Sequence, residues 1–304
     1  MVDAAQKHKK FALGIISRIK GSTPQKKGAK ALFFPDDTMI GTLGGGCLEA
    51  EVRRRARQAL ATGKPETFEF TLDHNFGWDD GLICGGKVYG LILPQAEEAT
   101  PIWQQLAQLD KPQKWVVHDN FSIALLDVAR STLDVERSPL LYEETVSPPH
   151  ALWIAGSGHV AQAIAPLALN LEFEVTVFDD RPELANHNHF PKKTKLAVGN
   201  WGDLLATPFP SQPVFGLIAT RGHNHDADVL AEWIHQPFAF LGMIGSTRKF
   251  RLISDGFLQK KIATAEQLSK VACPVGLPIK AIGVNEIAVS VMAQMIEVRA
   301  RQTA

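Results

Sequence analysis

The 304-residue sequence has only three cysteines, Cys47, Cys84 and Cys273. They are too few and too scattered for a disulfide framework, and their odd number leaves at least one thiol free, so a reducing compartment is expected. Charge of one sign is also lacking. Lys plus Arg and Asp plus Glu both number 32, so nothing in the net charge would hold a polyanion or an acidic membrane, and neither nucleic acid nor membrane is expected as a partner. The N-terminal apolar run Phe11–Ile16 meets Arg18 and Lys20 before any small-residue cleavage site, which does not fit a signal peptide. The charge-free stretch Ala151–Leu171 is interrupted by Gly156, Ser157, Gly158, His159, Gln162, Pro166 and Asn170. It therefore reads as strand, glycine turn and core helix rather than a membrane span. What remains, 45% hydrophobic and 21% charged residues, is an ordinary globular composition that excludes disorder, collagen-like repeats and a coiled-coil rod.

The length predicts two domains, and the pattern of elements divides the chain into an N-terminal α+β domain over 1–95, a connecting module over 96–148, and a C-terminal domain over 149–304. In the first, Phe11–Lys20 and Ala31–Pro35 read as strands, and Cys47–Thr62 reads as a helix with Leu48, Val52, Ala56 and Ala59 on one side and Gly63 at its end. Strands near Thr67–Leu72 and Lys87–Pro94 follow. In the connector, Pro101–Asp110 looks helical, and Trp115–His118, Ser122–Asp127 and Leu140–Glu144 look extended, before Ser147-Pro148-Pro149 marks a linker.

From Ala151 the pattern changes to apolar runs alternating with helical stretches. Five strands are expected, at Leu152–Ala155, Val175–Phe178, Leu196–Val198, Val214–Ala219 and Phe238–Ile244, each followed by a helix, with a last helix over Asn285–Arg299. Right-handed crossovers then predict an α/β, doubly wound, Rossmann-like parallel sheet with its ligand crevice at the carboxyl ends of the strands. The sharpest motif lies there: Gly156-Ser157-Gly158-His159-Val160-Ala161, between the first strand and its helix. Glycines at such a turn let backbone amides approach a phosphate at a helix N-terminus. Asp179 and Asp180, about twenty residues on, stand where an acid can accept a ribose hydroxyl, and Arg181 beside them bears on a 2′-phosphate. The glycines would serve equally for tight strand-to-helix packing.

Two further clusters follow strands four and five. Thr220-Arg221-Gly222-His223-Asn224-His225-Asp226 brings His223 toward the same crevice as His159. His223 and His225 have no third ligand at a recognised spacing, so no metal site is assigned; alternatively, Asp226 caps a helix beginning at Ala227. Gly245-Ser246-Thr247-Arg248-Lys249 supplies hydroxyls and two cations at a helix start, an anion site or simply a capped helix with solvated bases. In the first domain, Gly21-Ser22-Thr23-Pro24, Gly44-Gly45-Gly46-Cys47 and Cys84-Gly85-Gly86 outline a candidate second site, in which Cys47 near a helix start and Cys84 beside two glycines are either reachable thiols or inert packing.

Taken together, these motifs resemble the xanthine dehydrogenase accessory family, XdhC/CoxI. The resemblance runs through Gly21–Pro24, Gly28-Ala29, Gly41–Glu49 and Cys84–Gly86, then Gly156–Val160, Phe178–Arg181, Phe190-Pro191, Gly245-Ser246 with Arg248-Lys249, Pro274–Pro278 and Glu286–Ser290. Gln25 and Arg221 depart from its pattern, an arginine and a histidine being expected there. The resemblance implies a cytoplasmic maturation factor that binds molybdenum cofactor, as the bare pterin or its cytosine dinucleotide, supports its sulfuration by a cysteine desulfurase, and delivers it to a molybdenum hydroxylase client. Its cofactor would be held by Gly44, Gly45, Gly46, Cys47, Cys84, Gly85, Gly156, Ser157, Gly158, His159, Val160, Asp179, Asp180, Arg181, His223, Gly245, Ser246, Arg248 and Lys249. A homo-oligomer is expected. The alternative is an NAD(P)-dependent oxidoreductase built on the Gly156 loop and Asp179; no Tyr and Lys pair at catalytic spacing supports it, and a chaperone without turnover is favoured.

Overall fold

The computed structural model describes residues 1, 2, 4, 7, 10–72, 86–127 and 139–302. It divides into two compact units, Met1–Pro148 and Pro149–Ala304.

In the first unit, β1 (Ala12–Lys20), β2 (Lys30–Phe33), β3 (Met39–Gly41), β4 (Glu66–Thr71) and β5 (Lys87–Leu93) form an antiparallel sheet in the order β3-β2-β1-β5-β4. Helix α1 (Gly46–Thr62) lies on one face because Leu48, Val52, Ala56 and Ala59 recur every three or four residues; they bury against Ala12, Ile16, Phe33 and Ile92. Gly63 ends the helix in the left-handed region at φ 70°, its N–H donating to Ala59 O. The alternate residues of β1, Leu13 and Ile15, enter a second core with Trp103 of α2 (Thr100–Ala107) and Trp115 of β6 (Gln113–His118). The two indoles meet edge to face, 5.4 Å between centroids. With β7 (Ile123–Asp127) and β8 (Leu140–Val146), β6 makes a three-stranded antiparallel sheet in the order β7-β6-β8. Strand β3, three residues long, is too short to stand out by period.

The second unit is doubly wound α/β. Strands β9 (Ala151–Ala155), β10 (Glu174–Asp179), β11 (Lys195–Val198), β12 (Val214–Ile218), β13 (Phe240–Met243) and β14 (Val271–Ala272) form one parallel sheet in the order β11-β10-β9-β12-β13-β14. β9 and β12 are buried at every residue, the continuous apolar run of a strand covered on both faces. Helices α3 (His159–Asn170) and α8 (Val284–Gln302) cover one face through Ile164, Ala168, Val291 and Met295. α5 (His223–Trp233) and α6 (Thr247–Gln259) cover the other through Leu230, Trp233 and Phe257. The short helices α4 (Trp201–Leu205) and α7 (Ala265–Ser269) complete the unit. The order of strands reverses between β9 and β12, which places the ligand crevice outside their carboxyl ends. No described helix is long and apolar enough to cross a membrane.

Three sequence expectations need correction. No helix follows β10. Pro182 and Pro191 interrupt that segment, and Asn186 turns its amide back onto the carbonyls of Pro182 (3.0 Å) and Glu183 (2.8 Å), local bonds that compete with a helix. A sixth strand, β14, follows the expected five. The helix expected from Ala227 begins instead at His223, which puts Asp226 in its first turn.

Candidate functional site

At the carboxyl end of β9 the chain passes through two glycines with different reasons to be there. Gly156 has φ +112°, and a Cβ on it would overlap the carbonyl of Ala219 at the end of β12. The fold itself therefore requires this glycine. Gly158 has φ −69° and ψ 179°, open to any residue, and no described atom lies within 4 Å of where its Cβ would stand. Neither conformation nor crowding requires this one. It precedes the exposed His159, which opens α3, while Val160 packs toward the core of the α3 and α8 face.

Asp179, at the end of β10, is turned inward and only 1% exposed. One carboxylate oxygen accepts from the Ser157 N–H (2.7 Å), the Ser157 hydroxyl (2.8 Å) and Arg181 Nη2 (2.8 Å). The other accepts from the Arg181 N–H (2.9 Å) and Nε (2.8 Å). Burial opposes its ionisation, but the Arg181 guanidinium and the Ser157 donors outweigh burial and hold the carboxyl well below its usual range. In this arrangement Asp179 braces the glycine turn, and its oxygens are spent within the protein. Asp180 is the acid that faces outward; its carboxylate accepts from Arg221 Nη2 at 2.9 Å and lies 3.9 Å from Arg181 Nε.

Across β9, the loop after β12 is fastened by a residue whose role the sequence did not reveal. Asp226, 2% exposed, accepts from the Thr220 N–H (3.0 Å) and hydroxyl (2.6 Å), and pairs with Lys249 Nζ. Lys249 is thus bound to a buried carboxylate, which ties α5 to the start of α6. Ser246 caps α6, its hydroxyl accepting from the Lys249 N–H at 3.2 Å. Arg248 is exposed, without a bonded partner among the described residues. Gly222, the residue before α5, has extended φ and no described atom within 4 Å of a Cβ position. The His223 side chain lies outside the described residues, and His225 stacks on Trp201, 6.2 Å between centroids. Cys273, just past β14, stands against Gly245: its Sγ lies 3.8 Å from the Gly245 carbonyl, and burial pushes the thiol up to about 11.

The glycine loops of the first unit pack on one another. Gly44, Gly45 and Gly46 all have positive φ, at 110°, 73° and 58°. A Cβ on Gly44 would stand 2.9 Å from Pro24 Cγ, and one on Gly86 would overlap the Ser22 carbonyl. Glu49 holds the turn before α1, its carboxylate accepting from the Thr42 hydroxyl (2.9 Å) and the Leu43 N–H (3.1 Å). Cys47, half-buried, lies in the first turn of α1. Cys84 and Gly85 lie outside the described residues. Among the described residues no three His, Cys, Asp or Glu side chains are grouped so as to hold a metal ion.

Comparison with known proteins agrees with this architecture. The XdhC Rossmann domain matches residues 152–295, and the XdhC and CoxI family matches residues 4–71. The uncharacterized protein YqeB of Escherichia coli K12 is 29% identical over 95% of this chain and 43% of its own length, so the chain spans less than half of that relative. A probable xanthine dehydrogenase subunit from Bacillus subtilis 168 is 26% identical over 99% of this chain and 97% of that protein. The molybdenum cofactor insertion chaperone PaoD of Escherichia coli K12 is 24% identical over 99% and 87%. Among solved structures, one described as a xanthine dehydrogenase from Bacillus halodurans shares the fold, with a TM-score of 0.82 at 23% identity, covering 99% of this chain and 96% of that one.

Proposed function

We propose that this chain, which belongs to the XdhC and CoxI family, is an accessory protein that binds molybdenum cofactor as cargo, supports its sulfuration by a cysteine desulfurase, and passes it to a molybdenum hydroxylase of the xanthine dehydrogenase type. The observation that carries the reading is the pair Gly158 and Gly222, which precede helices α3 and α5 on either side of the strand-order reversal. Each lacks a side chain where the protein itself has no use for the space. Open backbone N–H groups at two helix starts suit the phosphate end of the cofactor, with the exposed Arg248 as a nearby cation. The similarity to the chaperone PaoD supports the same cargo.

The strand order equally suits a nicotinamide dinucleotide, the second reading. Of the two acids expected to accept its ribose, Asp179 already takes five hydrogen bonds from Ser157 and Arg181, and the outward-facing Asp180 is paired with Arg221. The same bonds take Asp179 out of the residues expected to hold the molybdenum cofactor, but the chaperone reading rests on Gly158 and Gly222 and does not need that carboxylate free.

The test mixes the purified chain with molybdenum cofactor released from a molybdoenzyme, and separately with NADH and NADPH. Cofactor co-eluting with the protein on gel filtration, and then activating a cofactor-free hydroxylase, is the expected result. Hydride oxidation with no molybdenum retained would replace this reading with the oxidoreductase.

A further inference from the structure

The Asp180–Arg221 ion pair joins residues 41 apart in sequence, and strand register shows what lies between them. Ala155 of β9 pairs with Phe178 on one side and with Ile218 on the other. Past those pairs the chain leaves three adjacent strand ends, through Gly156 to Ser157 from β9, through Asp179 to Asp180 from β10, and through Ala219 to Thr220 from β12. Neighbouring strands are about 4.8 Å apart, so the outer two are separated by about 10 Å. The Arg221 side chain closes that distance, and its bond to Asp180 spans the carboxyl end of β9, where the chain turns through Gly158. The pair is not a piece of the core: Arg221 is 49% exposed and Asp180 25%. An exposed pair of this kind contributes little to stability. Its neighbour Asp179 is buried and fully bonded, so Asp180 is the acid at this strand end that is free to exchange partners.

We propose that Arg221 is the anion-selecting residue of the crevice, and that Asp180 holds it in place until a phosphate-bearing ligand arrives. This rests on the crevice reading above and adds to it a residue and an exchange. When a phosphate settles against the Gly158 turn, Arg221 leaves Asp180 for the phosphate oxygens, trading one carboxylate for a more highly charged acceptor that suits the same planar fork of N–H groups. Asp180 is left facing the crevice with Arg181 beside it at 3.9 Å. The carboxylate thus competes with the ligand, and only a group carrying enough negative charge displaces it.

The experiment uses the full-length protein and inorganic pyrophosphate and CDP as probes, with affinity read by calorimetry. The variants are Arg221→Gln, Asp180→Asn and Gly158→Val, each checked for unchanged thermal unfolding. Arg221→Gln should weaken both probes about tenfold, the loss of one charged hydrogen bond. Asp180→Asn, which removes the competitor, should tighten them several-fold. If Gly158→Val abolishes binding while Arg221→Gln and Asp180→Asn leave it unchanged, the exchange is overturned and the crevice reading stands. If the wild-type protein binds neither probe, or all three variants bind as it does, both are overturned.

Discussion

Ser157 gives both its backbone N–H and its hydroxyl to a single oxygen of Asp179, at 2.7 and 2.8 Å. That oxygen also takes an Arg181 guanidinium nitrogen. The turn that would hold a phosphate is therefore braced from below by a buried carboxylate. Asp179→Ala should strand those donors and destabilise the second unit by about 3 to 5 kcal/mol, read from denaturant midpoints. Since the folded carboxyl is held below its ordinary value of 3.8, the unfolded chain binds more protons in acid. Its stabilisation is complete above that value and lost as pH falls further. In Asp179→Asn this acid dependence should be gone; an unchanged acid limb would show that other carboxylates set it.

The two glycines of the turn should respond in opposite ways. Gly156→Ala meets both a positive φ and the Ala219 carbonyl, and should lower stability by about 2 kcal/mol or more. Gly158→Ala has neither obstacle and should leave stability within about 1 kcal/mol, while weakening phosphate ligands. Paired melting curves and titrations of the two variants separate these effects. Equal destabilisation would mean that Gly158 also serves the fold.

His150 packs its ring on Phe173 and Phe215, and burial, then the nearby Arg299, lowers its pKa from 6.5. Above pH 6.5 both folded and unfolded forms are neutral and His150 has no effect. Below it the unfolded chain takes up a proton that the folded one resists, so stability declines toward the lowered folded value. Replacing His150 with Gln should flatten this part of the profile, checked by urea midpoints between pH 5 and 7.5.

The thiols divide by position. Cys273, with its pKa pushed up to about 11, should react slowly with iodoacetamide at neutral pH, so Cys273→Ser should leave early labelling unchanged. We propose that Cys47 or Cys84 meets the molybdenum end of the cofactor or carries sulfur. Cys47→Ala with Cys84→Ala should then lower cofactor retention, or the activity of the client matured with it. A double variant that retains cofactor and yields fully active client would reduce both thiols to packing.

The sequence made legible what short-range periodicity encodes. Leu48, Val52, Ala56 and Ala59 marked the buried face of α1, and the unbroken apolar runs at 151–155 and 214–218 marked strands with both faces covered. What it hid depends on distance along the chain. Asp226 and Lys249 are 23 residues apart and Asp180 and Arg221 are 41 apart; only the side-by-side ends of parallel strands bring them together. Nor could the glycine motif say which glycine the fold needs. Gly156 and Gly158 look alike in sequence, and only the folded backbone distinguishes them, by the positive φ of Gly156 and the Ala219 carbonyl against it.

Strand β1 sends Ala12 and Ile16 toward α1 and Leu13 and Ile15 toward Trp103 and Trp115. It is a wall shared by two rooms, and neither can be opened without exposing the other. The helix and the tryptophan layer should consequently melt together, and the amides of β1 should exchange with solvent only when the whole unit opens. A substitution as small as Ile15→Ala would then be felt at α1, on the far side of the sheet, as a loss of protection equal to that around Trp115.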